Sequence, residues 1–395
     1  MTLTVKIARQ RHFRMPALAV SAAVLLAILA ILHAPVKAQE TRFQFGLMGD
    51  TGYTSKGINE FKRLLTHLNG TELAFVVHIG DFQASGGDYT RDPTAGPMPC
   101  TDESYKLVYD AFRSIRHPVV LTPGDNDWTD CSKVEARKFD PLEVLTKMRG
   151  MFFPQGKSLG TRSMAVESQS TEAAYSKFRE NLRWSLGGVT FATLHIVGSN
   201  DNLLGNPERD AEHRERKAAN LAWMQAAFAK AKAEKSAGVV LMGHANPGFE
   251  NYWPAAAKGR YFGPFVGRSS PPPPVPDNAF GDYIATLAGE LESYDKPVAY
   301  LHGDTHLHRI DKPLYSMKSN RLFANLTRAE TFGDPNTHWV RVTVDPADPQ
   351  LFTFRGEIIA ENARQPPGES AFEPPCPQRI KPDGAVQPRA TRCEK

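Results

Sequence analysis

The chain has 395 residues and a formal net charge of +4, from 47 Lys and Arg against 43 Asp and Glu. Five of the basic residues and none of the acidic ones lie within residues 1–38, which leaves 42 basic and 43 acidic residues in the remainder. That remainder is near neutrality and carries no basic stripe, which argues against binding to nucleic acid.

Residues 1–38 predict a secretory leader. Their basic residues precede an apolar run from Ala17 to Leu32, and small residues lie near Ala38, as at a cleavage site. The run has about 16 residues, whereas a helix that crosses a bilayer needs ~20, so cleavage is favoured over a transmembrane anchor. We therefore expect a periplasmic or secreted protein, which would contact a membrane only through an uncleaved leader.

Residues 43–122 predict three buried strands separated by helices. The strands are FQFGLMG (43–49), AFVVHIG (74–80) and PVVLT (118–122). The helix after the first strand should stop at Gly70, and its apolar face carries Ile58, Phe61, Leu64, Leu65 and Leu68. A second helix is expected near 103–116, after a loop rich in Gly and Pro.

The rest of the chain continues the alternation. Helices are predicted around 142–151 and 173–184, from about 210 to 234, and around Ile284 to Leu291. Strands are predicted at 188–198, 238–243 and 298–303, with 337–344 and 351–356 closing the domain as antiparallel strands. The segment SSPPPPVPD (269–277) reads as a stiff loop.

Four cysteines follow the leader, which is typical of two disulfides in an oxidising compartment. They are Cys100, Cys131, Cys376 and Cys393. Pairing Cys100 with Cys131 and Cys376 with Cys393 is the simplest of three connectivities. No CxxC spacing indicates a zinc site.

Alternating strands and helices predict an α/β fold for residues 39–363, followed by a polar, Pro-rich tail at 364–395. In such sheets, ligands gather beyond the carboxyl ends of the strands. Five segments end in glycine followed by a potential metal ligand, namely Asp50, Asp81, Asp125, His244 and Asp304, and His306 and His308 lie close behind the last. Each one singly is ordinary turn chemistry, but the recurrence predicts one site.

Metal chemistry explains why these residue types would be grouped. Burying several carboxylates together is costly unless cations neutralise them. Carboxylate and imidazole are usual ligands of Mn²⁺, Fe and Zn²⁺, and two divalent ions would balance four aspartates. The glycine before each ligand lets the backbone turn sharply and approach the ions.

The ordered blocks GDTG, GD, GDND, GH and GDTH resemble those of the calcineurin-like metallophosphoesterases, a superfamily that includes the purple acid phosphatases. The resemblance covers roughly residues 43–345. It implies a central β-sandwich flanked by helices, with a two-metal site at the carboxyl ends of the strands. It also implies a hydrolase, a phosphatase or phosphodiesterase in which a metal-activated water attacks the phosphoester.

The resemblance also implies a role for each ligand. Asp50 and His306 would bind one ion, Asp125, His244 and Asp304 would bind the second, and Asp81 would bridge both. Four positions depart from the family pattern: Gly52 and Asp304 stand where many members have histidine, Asp125 replaces asparagine, and Asn126 replaces the catalytic histidine. The additional carboxylates favour Mn²⁺ or iron over Zn²⁺, which stays possible.

The proton donor to the leaving group is left open by Asn126, because an amide can hold a phosphate oxygen but has no ionisable proton. His308 is the favoured candidate, with His195 and His302 as alternatives that would more often be structural. Asn126 and Asn200 are candidate substrate-binding residues.

Two other classes of function compete with a phosphoesterase. Asp50-Thr51-Gly52 spells the motif of aspartic proteases, but a second such triplet is absent and a helix follows the first. A non-catalytic secreted binding protein is the main alternative, because Asn126 and Asp304 replace family histidines. The expected partner is a small phosphorylated substrate, and its identity is not specified by the sequence.

Overall fold

The computed structural model describes residues 42–86, 97–134, 139–253 and 278–363. Within them the chain forms twelve strands: β1 (Phe43–Met48), β2 (Val76–His78), β3 (Val119–Leu121), β4 (Glu167–Ser168), β5 (Leu182–Leu186), β6 (Val189–Thr193), β7 (Gly238–Met242), β8 (Val298–His302), β9 (Arg309–Asp311), β10 (Leu326–Glu330), β11 (Trp339–Val344) and β12 (Phe352–Glu357). The α-helices are α1 (Ser55–Asn69), α2 (Asp102–Ser114), α3 (Pro141–Phe152), α4 (Pro207–Glu234), α5 (Gly281–Leu291) and α6 (Ala360–Ala363). The predicted leader, the Pro-rich loop, the C-terminal tail and the second cysteine pair lie outside the described residues.

The strands form two mixed sheets. The first has the order β12-β11-β1-β2-β3, and the second has the order β4-β5-β6-β7-β8-β10-β9. Strands β1, β2 and β3 are mutually parallel, as are β6, β7, β8 and β10. Each sheet therefore has a block of parallel strands whose carboxyl ends share one edge.

The two sheets pack face to face through aromatic side chains. Phe45 of β1 lies 5.7 Å from Phe191 of β6, and Phe75 lies 5.4 Å from Trp184 of β5, measured between ring centroids. All four residues are buried in one continuous core, which also contains the inner faces of α1, α2 and α3. A second core lies on the outer face of the larger sheet, beneath α4 and α5. The predicted sandwich flanked by helices is confirmed.

The local sequence explains where α1 begins and ends. Thr54 has an extended backbone, and its hydroxyl accepts a hydrogen bond from the Gly57 N–H at 3.0 Å, which caps the first turn. The predicted apolar face is buried except for Ile58, which is half-buried. The helix ends at Gly70, as predicted.

The helix predicted at 173–184 is wrong. Residues Ala173–Tyr175 form one 3₁₀ turn, and residues from Leu182 onward form β5, which pairs antiparallel with β6. Gly187 and Gly188 connect the two strands with positive φ angles of 54° and 73°. Two glycines between strands whose residues alternate between apolar and polar are a strong signal for a hairpin. This signal outweighs the helical spacing of the residues before it.

Strands β9 and β10 lack a clear sequence signal and were not predicted. β10 pairs parallel with β8, and β9 covers its other edge. The polar residues of β9 are half-exposed, because it is an edge strand of three residues. Edge strands are short and polar in many sheets, which makes them hard to recognise from composition.

The predicted disulfide between Cys100 and Cys131 is confirmed. It connects the residue before the first turn of α2 with the 3₁₀ turn Thr129–Lys133, which follows β3. Among the described helices, none combines the length and apolar character that crossing a bilayer requires.

Replacing both Cys100 and Cys131 by serine should lower the free energy of unfolding by about 3 kcal/mol. The bond closes a loop with a sequence separation of 31 residues, and opening it restores conformational entropy to the unfolded chain. Urea unfolding of the double variant and the parent protein measures the difference. Equal midpoints with unchanged slopes would contradict the expectation.

Candidate metal centre

The six predicted ligands follow strands of both parallel blocks. Asp50, Asp81 and Asp125 follow β1, β2 and β3 in the first sheet. His244 follows β7, and Asp304 and His306 follow β8, in the second sheet. Because the two sheets face each other, the carboxyl ends of their parallel strands meet at one end of the sandwich.

The structure brings all six ligands to one place. Two groups of three have ligand atoms within 4.8 Å of one another: Asp50, Asp81 and His244 form the first, and Asp125, His244 and Asp304 form the second. His306 joins the first group, with its Nε2 atom 3.4 Å from Asp50 Oδ1. His244 belongs to both groups and so lies at the centre of the cluster.

The cluster has a closed floor and an open side. Asp50 and His244 are fully buried, whereas the side chains of Asp304 and His306 are 23% and 28% exposed. A small anion can therefore approach the carboxylates from the side of Asp304 and His306.

Hydrogen bonds orient both histidines for metal binding. Nδ1 of His244 lies 2.7 Å from the carbonyl oxygen of Ile79, and Nδ1 of His306 lies 2.6 Å from that of Asp334. A carbonyl oxygen can only accept, so each Nδ1 atom carries a hydrogen and donates it. The Nε2 atoms then face the carboxylates, in the arrangement that metal-bound histidines usually have.

Four of the six ligands have backbone conformations that side-chain-bearing residues rarely adopt. Asp50, Asp81, Asp304 and His306 have φ angles of 52°, 54°, 76° and 59°. The left-handed region costs about 1–2 kcal/mol per residue relative to a right-handed helix. Such strain persists only where surrounding structure imposes it, and it is concentrated at functional sites.

Glycines leave the space that the carboxylates occupy. A Cβ atom on Gly198 would lie 2.5 Å from both Asp125 Oδ1 and Asp304 Oδ1, and one on Gly303 would overlap Asp50 Oδ2. No larger residue fits at either position without displacing a ligand. Backbone atoms thus form part of the wall around the cluster.

Crowding of like charges shifts the ionisation of the cluster. Burial raises the pKa of Asp81 well above its usual range, and burial together with the charge of Asp125 raises the pKa of Asp304 to about 7. Burial acts to lower the pKa of His306, but the bond to Asp50 prevails and raises it to about 9. The protein alone therefore compensates its carboxylates by retaining protons, which divalent cations would replace.

Asp127 and Tyr53 fix the position of Asp81, and neither was singled out from the sequence. The Asp127 carboxylate accepts backbone N–H bonds from Asp81, Phe82 and Gly124 at 2.7–3.0 Å. The Tyr53 hydroxyl donates to Asp81 Oδ2 at 3.0 Å. In the sequence, only their closeness to predicted ligands could have indicated them, since Asp127 lies within GDND and Tyr53 directly follows GDTG.

A turn of left-handed helix holds Asp125 from the other side. Ser199, Asn200, Asp201 and Asn202 have consecutive φ angles of 50°, 53°, 51° and 67°. The Ser199 hydroxyl donates to Asp125 Oδ2 at 2.8 Å. Successive left-handed residues are rare outside glycine, so this turn, like the strained ligands, requires external support.

Arg216 of α4 supplies that support. It is completely buried and donates to the side chain and the carbonyl oxygen of Asp201, and to the carbonyl oxygen of His195 at 2.8 Å. The Asp201 carboxylate also accepts bonds from the Val197 N–H and the Tyr283 hydroxyl. The turn is thereby tied to α4, α5 and the end of β6.

Two of the predicted catalytic histidines lie in structural networks. His195 is fully buried, with Nδ1 2.8 Å from Glu180 Oε1, while Nε2 accepts from Trp128 Nε1 at 3.1 Å. His308 donates from Nδ1 to the carbonyl oxygen of Glu330 and stacks on Phe332. Both nitrogens of His195 are occupied, and no described contact joins His308 to the six ligands. These positions do not support either residue as the proton donor.

The two asparagines differ in their relation to the cluster. The Asn126 N–H donates to Asp81 Oδ1 at 2.9 Å, and its side chain donates to the Gln83 carbonyl oxygen. Asn200 donates to the carbonyl oxygen of Leu203 and accepts from the Ala279 N–H. Asn126 thus borders the ligands directly, whereas these bonds of Asn200 maintain the left-handed turn.

The donor set fits two divalent cations. Four carboxylates and two imidazole nitrogens are hard or intermediate ligands, which suits Mn²⁺ and iron and also permits Zn²⁺. The two groups of three lie side by side, as two adjacent ions would require, although the single available Nε2 of His244 can bind only one of them. The role of each residue toward each ion stays a prediction.

Comparisons with known proteins give fold-level similarity only. No protein-family model and no curated protein matches the chain. It is similar to the solved structure of PhoD at 12% identity and a TM-score of 0.40, covering 77% of this chain and 64% of that one. For 5'-nucleotidase from Candida albicans SC5314 the values are 10% and 0.33, covering 81% and 52%.

The chain spans less than two thirds of either of these proteins. Both TM-scores lie below 0.5, so neither similarity assigns a function to the site. The support for these six residues as metal ligands is therefore their proximity in this structure.

We expect the cation-free protein to lose stability as the pH rises from about 6.5 to about 9. The folded pKa of His306, about 9, exceeds that of an unfolded histidine, about 6.5, so the folded state holds an extra proton that the unfolded chain has released. Below this range, buried His78 opposes folding. Burial lowers its pKa to about 3, so the unfolded chain gains a proton on this histidine while the folded chain does not. In that lower range the raised pKa of Asp304, about 7, acts in the opposite sense to His78, so the expected trend is confined to the alkaline side.

Urea midpoints measured with a chelator across this pH range test the expectation. His306→Gln should reduce the alkaline loss, and saturating Mn²⁺ should remove it, because cations compete with protons. A midpoint that rises from pH 7 to 9 in the chelated parent protein would contradict it.

Ser199→Ala should weaken Mn²⁺ binding by about tenfold while changing stability little. The serine orients Asp125, and loss of such an outer partner typically reduces metal affinity 10- to 100-fold. Titration calorimetry measures the affinity. Ser185→Ala is the matched control, since that serine also donates to a carboxylate, Glu234, but at an exposed position. Equal affinities in both variants would show that Ser199 has no orienting role.

Proposed function

We propose that the protein is a phosphoester hydrolase that uses two divalent cations held by the six clustered side chains. The observation that carries this proposal is the cluster itself. Four aspartates and two histidines lie together at the ends of strands from two sheets, several of them in strained backbone conformations. Such an arrangement is costly for folding, and it has an evident use only when cations and an anionic substrate occupy it.

The cations, when bound, would supply positive charge for the phosphoryl oxygens and lower the pKa of an attacking water. The residues of the chain hold the ligands in position. Tyr53 and the Asn126 N–H fix the two oxygens of Asp81, and Ser199 fixes Asp125. Preorganisation of this kind means that little reorganisation is needed during reaction.

The supply of a proton to the leaving group distinguishes this site. Asn126 borders the cluster with an amide, which cannot donate an ionisable proton. Tyr53 keeps its proton, because burial and the charge of Asp81 raise the pKa of its hydroxyl well above the usual value. We therefore expect turnover to depend strongly on the leaving group, with aryl esters cleaved faster than alkyl esters.

We also propose a location, a resident metal and a substrate class for the protein. The basic and apolar pattern of residues 1–38 and the Cys100–Cys131 disulfide both support a periplasmic or secreted location. The carboxylate-rich ligand set supports Mn²⁺ or iron as the resident metal. The substrate would be a small phosphomonoester or phosphodiester.

A non-catalytic binding protein is the second candidate. It is favoured by Asn126 and by the engagement of His195 and His308 in structural contacts. Such a protein would bind cations and phosphate at the same cluster without turnover.

Purified protein loaded with Mn²⁺ should hydrolyse 4-nitrophenyl phosphate or bis(4-nitrophenyl) phosphate. Activity should disappear with a chelator and return with Mn²⁺, and Asp81→Asn should lower kcat at least 100-fold, because it removes a buried carboxylate charge from the first group of three. Release of 4-nitrophenolate is the measurement.

Asp348→Asn serves as the control, since that aspartate is exposed and lies in the turn between β11 and β12. Activity that survives Asp81→Asn would indicate a contaminant or another site. Binding of Mn²⁺ and phosphate without hydrolysis of either ester would favour the non-catalytic alternative.

A further inference from the structure

A cavity of about 300 Å³ lies between α1 and α2, on the outer face of the smaller sheet. Each helix presents residues spaced by three and four to it. Those of α1 are Ile58, Phe61 and Leu65, and those of α2 are Leu107, Val108 and Ala111. The cavity occupies the space between the two helices.

The cavity adjoins the metal centre. Tyr53 lines it and donates its hydroxyl hydrogen to Asp81 Oδ2 at 3.0 Å. Gly52 and Phe82 also line it, and they lie two residues and one residue after the ligands Asp50 and Asp81. A single side chain therefore separates the cavity from a carboxylate of the cluster.

The lining offers few polar groups to a ligand. Among the described lining residues none is acidic, and the cation found there, Lys62, is on the exposed side of α1. The polar members Gln83 and Ser104 already bond each other, and Gln83 also bonds the carbonyl oxygen of Asn126. An occupant that needs hydrogen bonds, such as a sugar, would find no available partners at these groups.

The wall of the cavity is fixed in place. Gln83 accepts the Cys100 N–H at 3.1 Å, and the disulfide joins Cys100 to Cys131, behind the loop that carries Asp125. Binding sites for small molecules are usually preformed, mostly apolar and of about 300–1,000 Å³, and this cavity meets each condition.

We propose that this cavity binds an alkyl chain of the substrate, so that the preferred substrate is an amphipathic phosphoester. The proposal rests on the phosphoesterase function proposed above. The phosphoryl group would lie at the cluster, and the chain would extend past Tyr53 between the two helices. Each methylene buried there should strengthen binding about fourfold.

Alkylphosphonates test this proposal, because their C–P bond resists hydrolysis. Titration calorimetry on the Mn²⁺-loaded protein should show octylphosphonate binding at least tenfold more tightly than ethylphosphonate. Ala111→Phe, which places a ring in the cavity, should remove this difference and leave the affinity for ethylphosphonate unchanged. Ala226→Phe is the matched control, since Ala226 is likewise a half-buried helical alanine but does not line the cavity.

Equal affinities for the two phosphonates in the parent protein would overturn the proposal and leave the phosphoesterase function standing. If neither phosphonate binds and no ester is hydrolysed, the proposed function fails, and 1-octanol tests the cavity alone. Displacement of a fluorescent apolar dye by octanol in the parent protein, but not in Ala111→Phe, would support binding of an alkyl chain. Absence of displacement would overturn it.

Discussion

The mutual repulsion of buried carboxylates is the constraint on which the structure of this protein depends. Asp50, Asp81, Asp125 and Asp304 lie around His244, and burial raises the pKa of Asp81 and of Asp304. The chain nevertheless holds them there, with strained backbones, glycines that leave room and neutral donors to Asp81 and Asp125. A fold selected for stability alone would separate these charges, so their proximity is itself the evidence for a function.

The two-sheet architecture allows these carboxylates and histidines to come together. A single parallel sheet delivers its strand ends along one line, whereas two facing sheets deliver them from opposite sides. Asp81 from one sheet and His244 from the other come within 3.4 Å in this way. The apolar interface between the sheets, around Phe45 and Phe191, sets the spacing at which the two sets of ligands meet.

The sequence indicated which residues would cluster but not the residues that support them. Glycine followed by Asp or His after an apolar run has a direct physical meaning, and the five residues found this way lie together with His306, which follows the last of them. Ser199 and Arg216 gave no comparable signal, because their roles arise from a left-handed turn and a buried ion pair between distant segments. The role of His308 stays a prediction: its closeness to His306 in the chain suggested chemistry, whereas its Nδ1 donates to the Glu330 carbonyl oxygen and its ring stacks on Phe332.

The sharing of His244 between ligands from both sheets has a consequence for how the protein matures. Before the sandwich closes, neither half possesses a complete coordination sphere, and the unfolded chain has none. Uptake of metal would consequently be a late event that fastens one half of the molecule to the other. Whichever ions surround the chain at that moment, rather than those present during its synthesis, would then determine which metals occupy the cluster.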